Sequence, residues 1–223
     1  MTGLSRNDLD DESAIRLSID PSRNSVFGEK LNLSTHDKLT RAMHHASYTF
    51  RKKISHTADS QDQRHRMTPA SRPVLIAHMD DTPDYITPTL INQSKPATEL
   101  FTTTMEQTWD SIAKLTTLGE SSEFIAYVLP NAVSIRFTES SDLLNLHHKH
   151  AMRLCYLAQE EIWKASLDEA LQITEINPLI GKFLLPPCTL RQIAGTKPFC
   201  PEGKRYCGEP VWNYSREEYT RII

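Results

Sequence analysis

The sequence is short of several features that would place it in particular classes of protein. Seven glycines in 223 residues exclude a collagen-like chain, and a net charge of -3 excludes a globally basic binder of nucleic acid polymers. No run approaches the roughly 18 apolar residues of a membrane span. The first thirty residues lack the apolar core of an export signal, so we expect a cytoplasmic protein with its four cysteines reduced.

The composition, 39% hydrophobic and 24% charged, is that of a globular protein. A chain of this length can bury a hydrophobic core without disulfides or metal. The pattern predicts an irregular N-terminal arm over residues 1–33, a single domain over 34–180, and a Cys- and Pro-rich tail over 181–223 that packs on the domain. Helix and strand patterns are mixed within the domain, which predicts the α+β class.

The clearest strand pattern runs from Ser47 to Ile54, where Tyr48, Phe50, Lys52 and Ile54 alternate with polar residues and point to one side. The other predicted elements are a short helix capped by Ser34 or Thr35, a helix over 61–66 capped by Thr57 or Asp59, a helix over 97–118 stopped by Gly119, a helix over 121–129, a strand over 133–138, and a long helix from Ser140 past Ile162, with 171–176 continuing its packing.

Two arginines flank a histidine in the string Gln61-Asp62-Gln63-Arg64-His65-Arg66. Guanidinium groups suit phosphate because they form two parallel charge-assisted hydrogen bonds with it. A solvated basic patch is the alternative interpretation of the same residues, since charged side chains usually stay exposed.

A second string, Ala151-Met152-Arg153-Leu154-Cys155-Tyr156-Leu157-Ala158-Gln159-Glu160-Glu161-Ile162, follows about ninety residues later, with Leu129-Pro130 between the two. Together they resemble the flavin-dependent thymidylate synthases over residues 40–173. That family carries an Arg-His-Arg motif, a Leu-Pro segment, and a helix with an arginine followed by Ala-Gln and Glu-Ile. The run 56–66 and the segment 200–203 resemble the C-terminal copy of duplicated members.

The resemblance implies a mixed sheet flanked by helices and a homotetramer that makes dTMP from dUMP. Methylenetetrahydrofolate would donate the carbon, reduced FAD the hydride, and NADPH would recharge the flavin. Arg64, His65 and Arg66 would contact flavin, and Gln61, Arg64 and Arg153 would hold dUMP. Arg153 would be catalytic, as a fixed cation beside the pyrimidine carbonyl that stabilises developing negative charge. A surface arginine paired with a nearby glutamate is the alternative for Arg153.

The sequence departs from the family pattern at several positions. Arg66 is followed by residues 67–73 without the usual Ser, Asn-Glu, Ser and Arg, although Ser71 and Arg72 offer a hydroxyl and a guanidinium nearby. Ala126 stands where a neighbouring subunit's arginine is often found. Asp142 and Leu144 stand where an asparagine and an arginine touch flavin in the family.

Metal binding is a further hypothesis, because Cys188, Cys200 and Cys207 lie within twenty residues, and a histidine would complete a structural zinc site. The histidines at 44, 45, 56, 147, 148 and 150 raise the same question. For both groups, ordinary packing is the alternative. Three functions therefore stay open: an active thymidylate synthase, a degenerate copy that binds nucleotide or completes an oligomer, and a zinc-stabilised structural module.

Overall fold

The computed structural model describes residues 2–24, 26–29, 37–79 and 81–221. The chain divides into two compact units, the first formed by residues 1–50 with 140–222 and the second by residues 51–139. Each unit is therefore assembled around its own packed residues. The predicted cap residues Ser34 and Thr35 lie outside the described residues.

A small antiparallel sheet contains the three strands, in the spatial order β1-β3-β2. The strands are β1 (Ser47–Ser55), β2 (Ala70–Ser71) and β3 (Ser134–Asp142). Ala70 of β2 pairs with Glu139 of β3, and the strand predicted from Ser47 onward is confirmed as β1. The α+β class is confirmed, with an antiparallel sheet in place of the mixed sheet that the resemblance implied.

Helices make up most of the remaining regular structure. The α-helices are α1 (Asp11–Ile19), α2 (Val26–Glu29), α3 (His56–Asp62), α4 (Thr89–Asn92), α5 (Lys95–Thr117), α6 (Ser122–Ile125), α7 (Leu143–Arg153), α8 (Glu160–Ile176), α9 (Pro178–Gly181) and α10 (Pro187–Ile193). Short 3₁₀-helices span Thr40–His45, Leu75–His78, Ala126–Val128, Gly203–Arg205, Val211–Asn213 and Arg216–Glu218. None of the helices in the described part of the chain combines the length and apolar character needed to cross a membrane.

The core of the first unit is apolar and draws on both of its chain segments. It contains Ile19, Phe27, Met43, Phe50, Leu143, Leu144, Leu146, Leu154, Ala170, Ile173, Phe183 and Leu184. Within this unit α8 packs against α7 and α9, and α1 packs against α9. Burying each large side chain contributes about 1.5–3 kcal/mol, so this cluster holds the unit together.

Helix α1 lies in the segment predicted to be an irregular arm. Asp10 caps it by accepting a hydrogen bond from the Ser13 amide at 2.7 Å, and Ile19 at its end is buried in the core. Asp11 and Glu12 add acidic charge to the first turn, which the helix dipole favours. The polar composition of this segment led to the prediction of an irregular arm, although the segment contains a capped amphipathic helix.

The single long helix predicted from Ser140 past Ile162 is wrong, because the chain forms β3, α7 and α8 in turn. Asp142 caps α7 by accepting from the Asn145 amide at 2.9 Å. Gln159 caps α8 by accepting from the Ile162 amide at 3.0 Å. Between the helices, the Trp163 indole N–H donates to the Leu154 carbonyl at 3.1 Å, which satisfies an acceptor at the end of α7.

In the second unit, α5 confirms the predicted amphipathic helix. Met105, Trp109 and Ile112 are buried along one face. Leu100 and Leu118, two apolar residues within the predicted range 97–118, are 70% and 76% exposed.

Candidate functional site

The Arg-His-Arg motif lies on a turn that follows α3. The helix was predicted over residues 61–66 with Thr57 or Asp59 as its cap, but Ser55 caps it by accepting from the Ala58 amide at 3.1 Å, and it ends at Asp62. The motif is therefore displayed by a turn and not by a helix.

Local hydrogen bonds fix the backbone of this turn. The Arg64 amide donates to the Gln61 carbonyl and the His65 amide to the Asp62 carbonyl, both at 3.1 Å. Thr68 closes the turn, since its hydroxyl donates to the His65 carbonyl at 2.7 Å. Arg64 and Arg66 are exposed and His65 is half-buried, so two guanidinium groups face solvent from a defined backbone.

A buried cluster of charged side chains lies under this turn in the second unit. Lys52 Nζ lies 2.8 Å from Asp62 Oδ2 and 3.8 Å from Glu139 Oε2. Arg72 Nε donates to Asp59 Oδ1 at 2.6 Å, and its Nη2 lies 3.5 Å from Asp62 Oδ2. Asp62, the last residue of α3, is thus held by two cations and anchors the start of the motif turn.

The cluster is almost completely excluded from solvent, because the side chains of Lys52, Asp62 and Glu139 are 6%, 1% and 0% exposed. The Arg72 guanidinium also lies over the Phe137 ring at 4.3 Å, which further removes it from water. Desolvation offsets much of the attraction in such a cluster, so its main effect is to fix positions. Any removal of one member leaves an uncompensated buried charge.

Sequence reasoning missed this cluster. The signal was present in β1, where the alternation places Lys52 on the same side as Phe50 and Ile54. A lysine on an apolar strand face requires a buried carboxylate partner. Arg72, suggested from its position as a guanidinium near the motif, forms an ion pair with Asp59.

A cavity of about 160 Å³ opens beside the cluster in the second unit. Its walls are formed by His56, Asp59, Gln63, Arg72, Pro73, Leu75, His78, Ile135, Arg136 and Phe137. Burial lowers the pKa of His78, and nearby Arg136 lowers it further, so His78 favours the neutral form. Gln61, Arg64, His65 and Arg66 do not line this cavity.

Arg153, predicted to be catalytic, is the last residue of α7 and is half-buried. It belongs to the first unit, whereas Gln61, Arg64, His65 and Arg66 belong to the second. Each group is well defined within its own unit. Their joint action on one ligand stays a prediction.

Two positions that match flavin contacts in the resembling family serve the protein's own structure here. Asp142 caps α7 and also accepts from His44 Nδ1 at 2.9 Å. Leu144 is 4% exposed and packs in the core of the first unit. Both side chains thus take part in the packing or capping of the first unit.

Two of the three histidines of α7, His147 and His150, are buried, which favours the packing interpretation for them. His150 Nε2 lies 3.1 Å from Glu169 Oε2, and Lys149 Nζ donates to the other oxygen of the same carboxylate at 3.2 Å. His147 is 2% exposed and packs against Phe27, with the two rings tilted by 54° and their centroids 4.6 Å apart. Burial lowers the pKa of His147 to about 3, so its ring is neutral.

The structure does not assemble the predicted metal ligands into a finished site. Within the described ranges, no three His, Cys, Asp or Glu side chains are placed to hold a metal ion as they stand. Cys188, Cys200 and Cys207 are free thiols around one small cavity, and Cys155 joins them there. The predicted histidine does not accompany them in the cavity wall.

Comparison with known proteins places these features in a family context. A family profile described as "Thymidylate synthase complementing protein" matches residues 7–179, which is more than half of the chain. The chain is 27% identical over 156 residues to a flavin-dependent thymidylate synthase of Sulfurisphaera tokodaii, and 26% identical over 154 residues to that of Saccharolobus solfataricus. Each alignment covers 67% of this chain, and it covers 59% and 58% of the respective relatives. The chain therefore spans about three fifths of the length of these two proteins.

A third relative, the flavin-dependent thymidylate synthase of Pyrococcus abyssi, is 26% identical over 190 residues. That alignment covers 81% of this chain and 75% of the relative.

Proposed function

This chain belongs to the thymidylate synthase complementing protein family, and from that membership we propose that it acts as a flavin-dependent thymidylate synthase on dUMP. In the overall conversion the C5 hydrogen of the pyrimidine leaves as a proton and a methyl group takes its place. Methylenetetrahydrofolate is the proposed carbon donor and NADPH the proposed final reductant. The observation that carries the proposal is the exposed Arg64 and Arg66 pair on a turn held from below by Asp62.

The chain's own residues take defined roles in this proposal. Arg64 and Arg66 bind nucleotide phosphate, because their exposed guanidinium groups can form paired charge-assisted hydrogen bonds with phosphate oxygens. Gln61 donates to the nucleotide from the end of α3. Arg153 places a positive charge at the pyrimidine carbonyl and stabilises the negative charge that develops there.

No protein nucleophile takes part. Burial raises the pKa of the Cys155 thiol, and Cys207, Glu202 and Cys200 raise it further, so the thiol stays protonated near neutral pH. Cys155 is therefore unsuited to attack the pyrimidine ring.

The residues at 64–66 and the residues at 142 and 144 differ in how well they fit FAD. The cationic turn at 64–66 suits the phosphates of a dinucleotide, and bound flavin would supply the hydride. The positions of Asp142 and Leu144 do not fit, since one side chain caps a helix and the other is buried. The loss of these two contacts is expected to weaken FAD binding.

The same two positions favour a second candidate function. A copy that has lost flavin contacts but retains the cationic turn would bind nucleotide, or complete an oligomer with an active partner chain. In either function we propose a homo-oligomeric protein of the cytoplasm, a tetramer by analogy with the family. Mass in solution, measured by gel filtration with light scattering, tests that part.

Calorimetric titration of dUMP tests the nucleotide site. The double variant Arg64→Ala with Arg153→Ala is expected to abolish dUMP binding with little loss of stability, because both residues are proposed ligand contacts. Arg51→Ala is the matched control, since Arg51 is an exposed arginine of the second unit outside the motif turn. Unchanged dUMP affinity in the double variant would contradict the assignment of Arg64 and Arg153 to the nucleotide site.

An absorption spectrum recorded after adding FAD, and again after adding dUMP, separates the two candidate functions. A protein-bound flavin spectrum that dUMP perturbs supports the synthase. Binding of dUMP to a protein that retains no flavin supports the degenerate copy.

A further inference from the structure

All four cysteines of the chain line one small cavity in the first unit. Cys155 lies just beyond α7, Cys188 lies in α10, and Cys200 and Cys207 lie in the irregular segment that follows. The cavity is about 20 Å³, the size of one small ion or water molecule. Cysteines separated by 33, 12 and 7 residues along the chain thus line the same cavity.

The walls between the thiols are mostly apolar. Leu157, Pro186, Pro187, Pro201 and Val211 contribute apolar surface, and Tyr156, Tyr206, Glu202 and Glu209 complete the wall. The four thiols and the carboxylates of Glu202 and Glu209 are therefore the ligand types available at this cavity. Soft thiolate donors in a set of four select zinc over the harder divalent cations.

The first part of the tail has little regular structure of its own. Residues 194–210 contain one short 3₁₀-helix, Gly203–Arg205, and its turn begins with Gly203 in the left-handed region at a φ of 55°. Cys200 and Cys207 flank this turn, and the core elements present Cys155 and Cys188 opposite them. A single ion held by all four would attach the irregular tail to α7 and α10.

We infer that Cys155, Cys188, Cys200 and Cys207 together bind one zinc ion that fixes the C-terminal tail to the first unit. The four S–H bonds are replaced by four S–Zn bonds, and the protons pass to solvent. The side chains as they stand do not converge on a point, so binding requires the thiols to rotate about their Cα–Cβ bonds toward the cavity. The inference rests on the tail and is independent of nucleotide binding.

Metal analysis of the full-length protein, purified without chelator, tests this inference. We expect about one zinc ion per chain, and the zinc-depleted protein should take up Co²⁺ with the intense charge-transfer absorption of thiolate ligands. Cys155→Ser should lower the zinc retained against a competing chelator by at least about tenfold, because a four-ligand site loses one donor.

Tyr206→Phe is the matched control, since Tyr206 lines the same cavity without offering a sulfur, and its zinc content should not change. Wild-type protein that contains no zinc and gives no cobalt–thiolate absorption would overturn the inference. So would a disulfide between any two of the four cysteines in mass spectrometry under non-reducing conditions. These outcomes are read on the wild-type chain, so they hold even where a variant fails to fold.

Discussion

Replacing Lys52 with methionine removes one cation from the buried cluster beneath the motif turn. The methionine keeps most of the aliphatic volume of the lysine, so the main loss is the charge. Lys52 lies 2.8 Å from Asp62 and 3.8 Å from Glu139, so the substitution leaves these buried carboxylates with less compensating positive charge.

The magnitude follows from the distance and the burial. At 2.8 Å and an effective dielectric constant of about 20, the attraction between Lys52 and Asp62 is about 6 kcal/mol before desolvation is subtracted. Breaking a buried pair from one side costs about 3–5 kcal/mol in practice. For a chain of this size, that loss lowers Tm by roughly 6–20 °C.

Thermal and urea unfolding of Lys52→Met should be measured beside Lys53→Met. Lys53 is the next residue of β1, is 45% exposed, and lies 2.8 Å from Asp84, so the same substitution there should cost no more than about 1 kcal/mol. Equal, small losses in the two variants would refute the view that burial makes the Lys52 cluster structural.

Three further predictions concern the first unit. The pKa of His147 in the folded state, about 3, lies below its ordinary value of 6.5, so the free energy of unfolding falls as pH decreases from 6.5 to 3. His147→Phe should reduce the slope of the unfolding free energy against pH in this range by up to about 1.4 kcal/mol per pH unit. A methyl group at Gly181 would lie 2.3 Å from Thr174 Cα, so Gly181→Ala should cost at least about 1–3 kcal/mol in chemical denaturation. Leu144→Arg introduces the arginine expected from the family pattern, but it should destabilise the chain by several kcal/mol and should not lead to flavin binding, because the position is buried. Absorption spectroscopy and chemical unfolding check this, and a stable variant that binds flavin would contradict the burial of Leu144.

The extent to which the sequence predicts this structure depends on how local each signal is. The strand at 47–55 and helix α5 were predicted well, because alternation and helical spacing within one element are enough to identify them. The break between α7 and α8 was missed, because it depends on the Trp163 indole reaching the Leu154 carbonyl nine residues away. Periodicity carries no information about such a contact.

The candidate site, too, was predictable only where its signal is local in the sequence. The Arg64-His65-Arg66 string was recognisable from its residues, and the family match over residues 7–179 confirms the resemblance. Its position on a turn was not predictable, because Asp62 is drawn into an ion cluster with Lys52 and ends the helix there. Likewise, the four cysteines share no spacing signature, and only the folded chain shows that Cys155 joins the three of the tail.

A turnover assay is the most direct test of the proposal that this chain makes dTMP from dUMP. Purified protein is incubated with dUMP, methylenetetrahydrofolate, FAD and NADPH, and dTMP is quantified by chromatography against the Arg64→Ala with Arg153→Ala variant. We expect dTMP to accumulate with time, to depend on FAD, and to be lost in the double variant. A folded wild-type protein that produces no dTMP, whether or not it binds dUMP, would contradict the proposal.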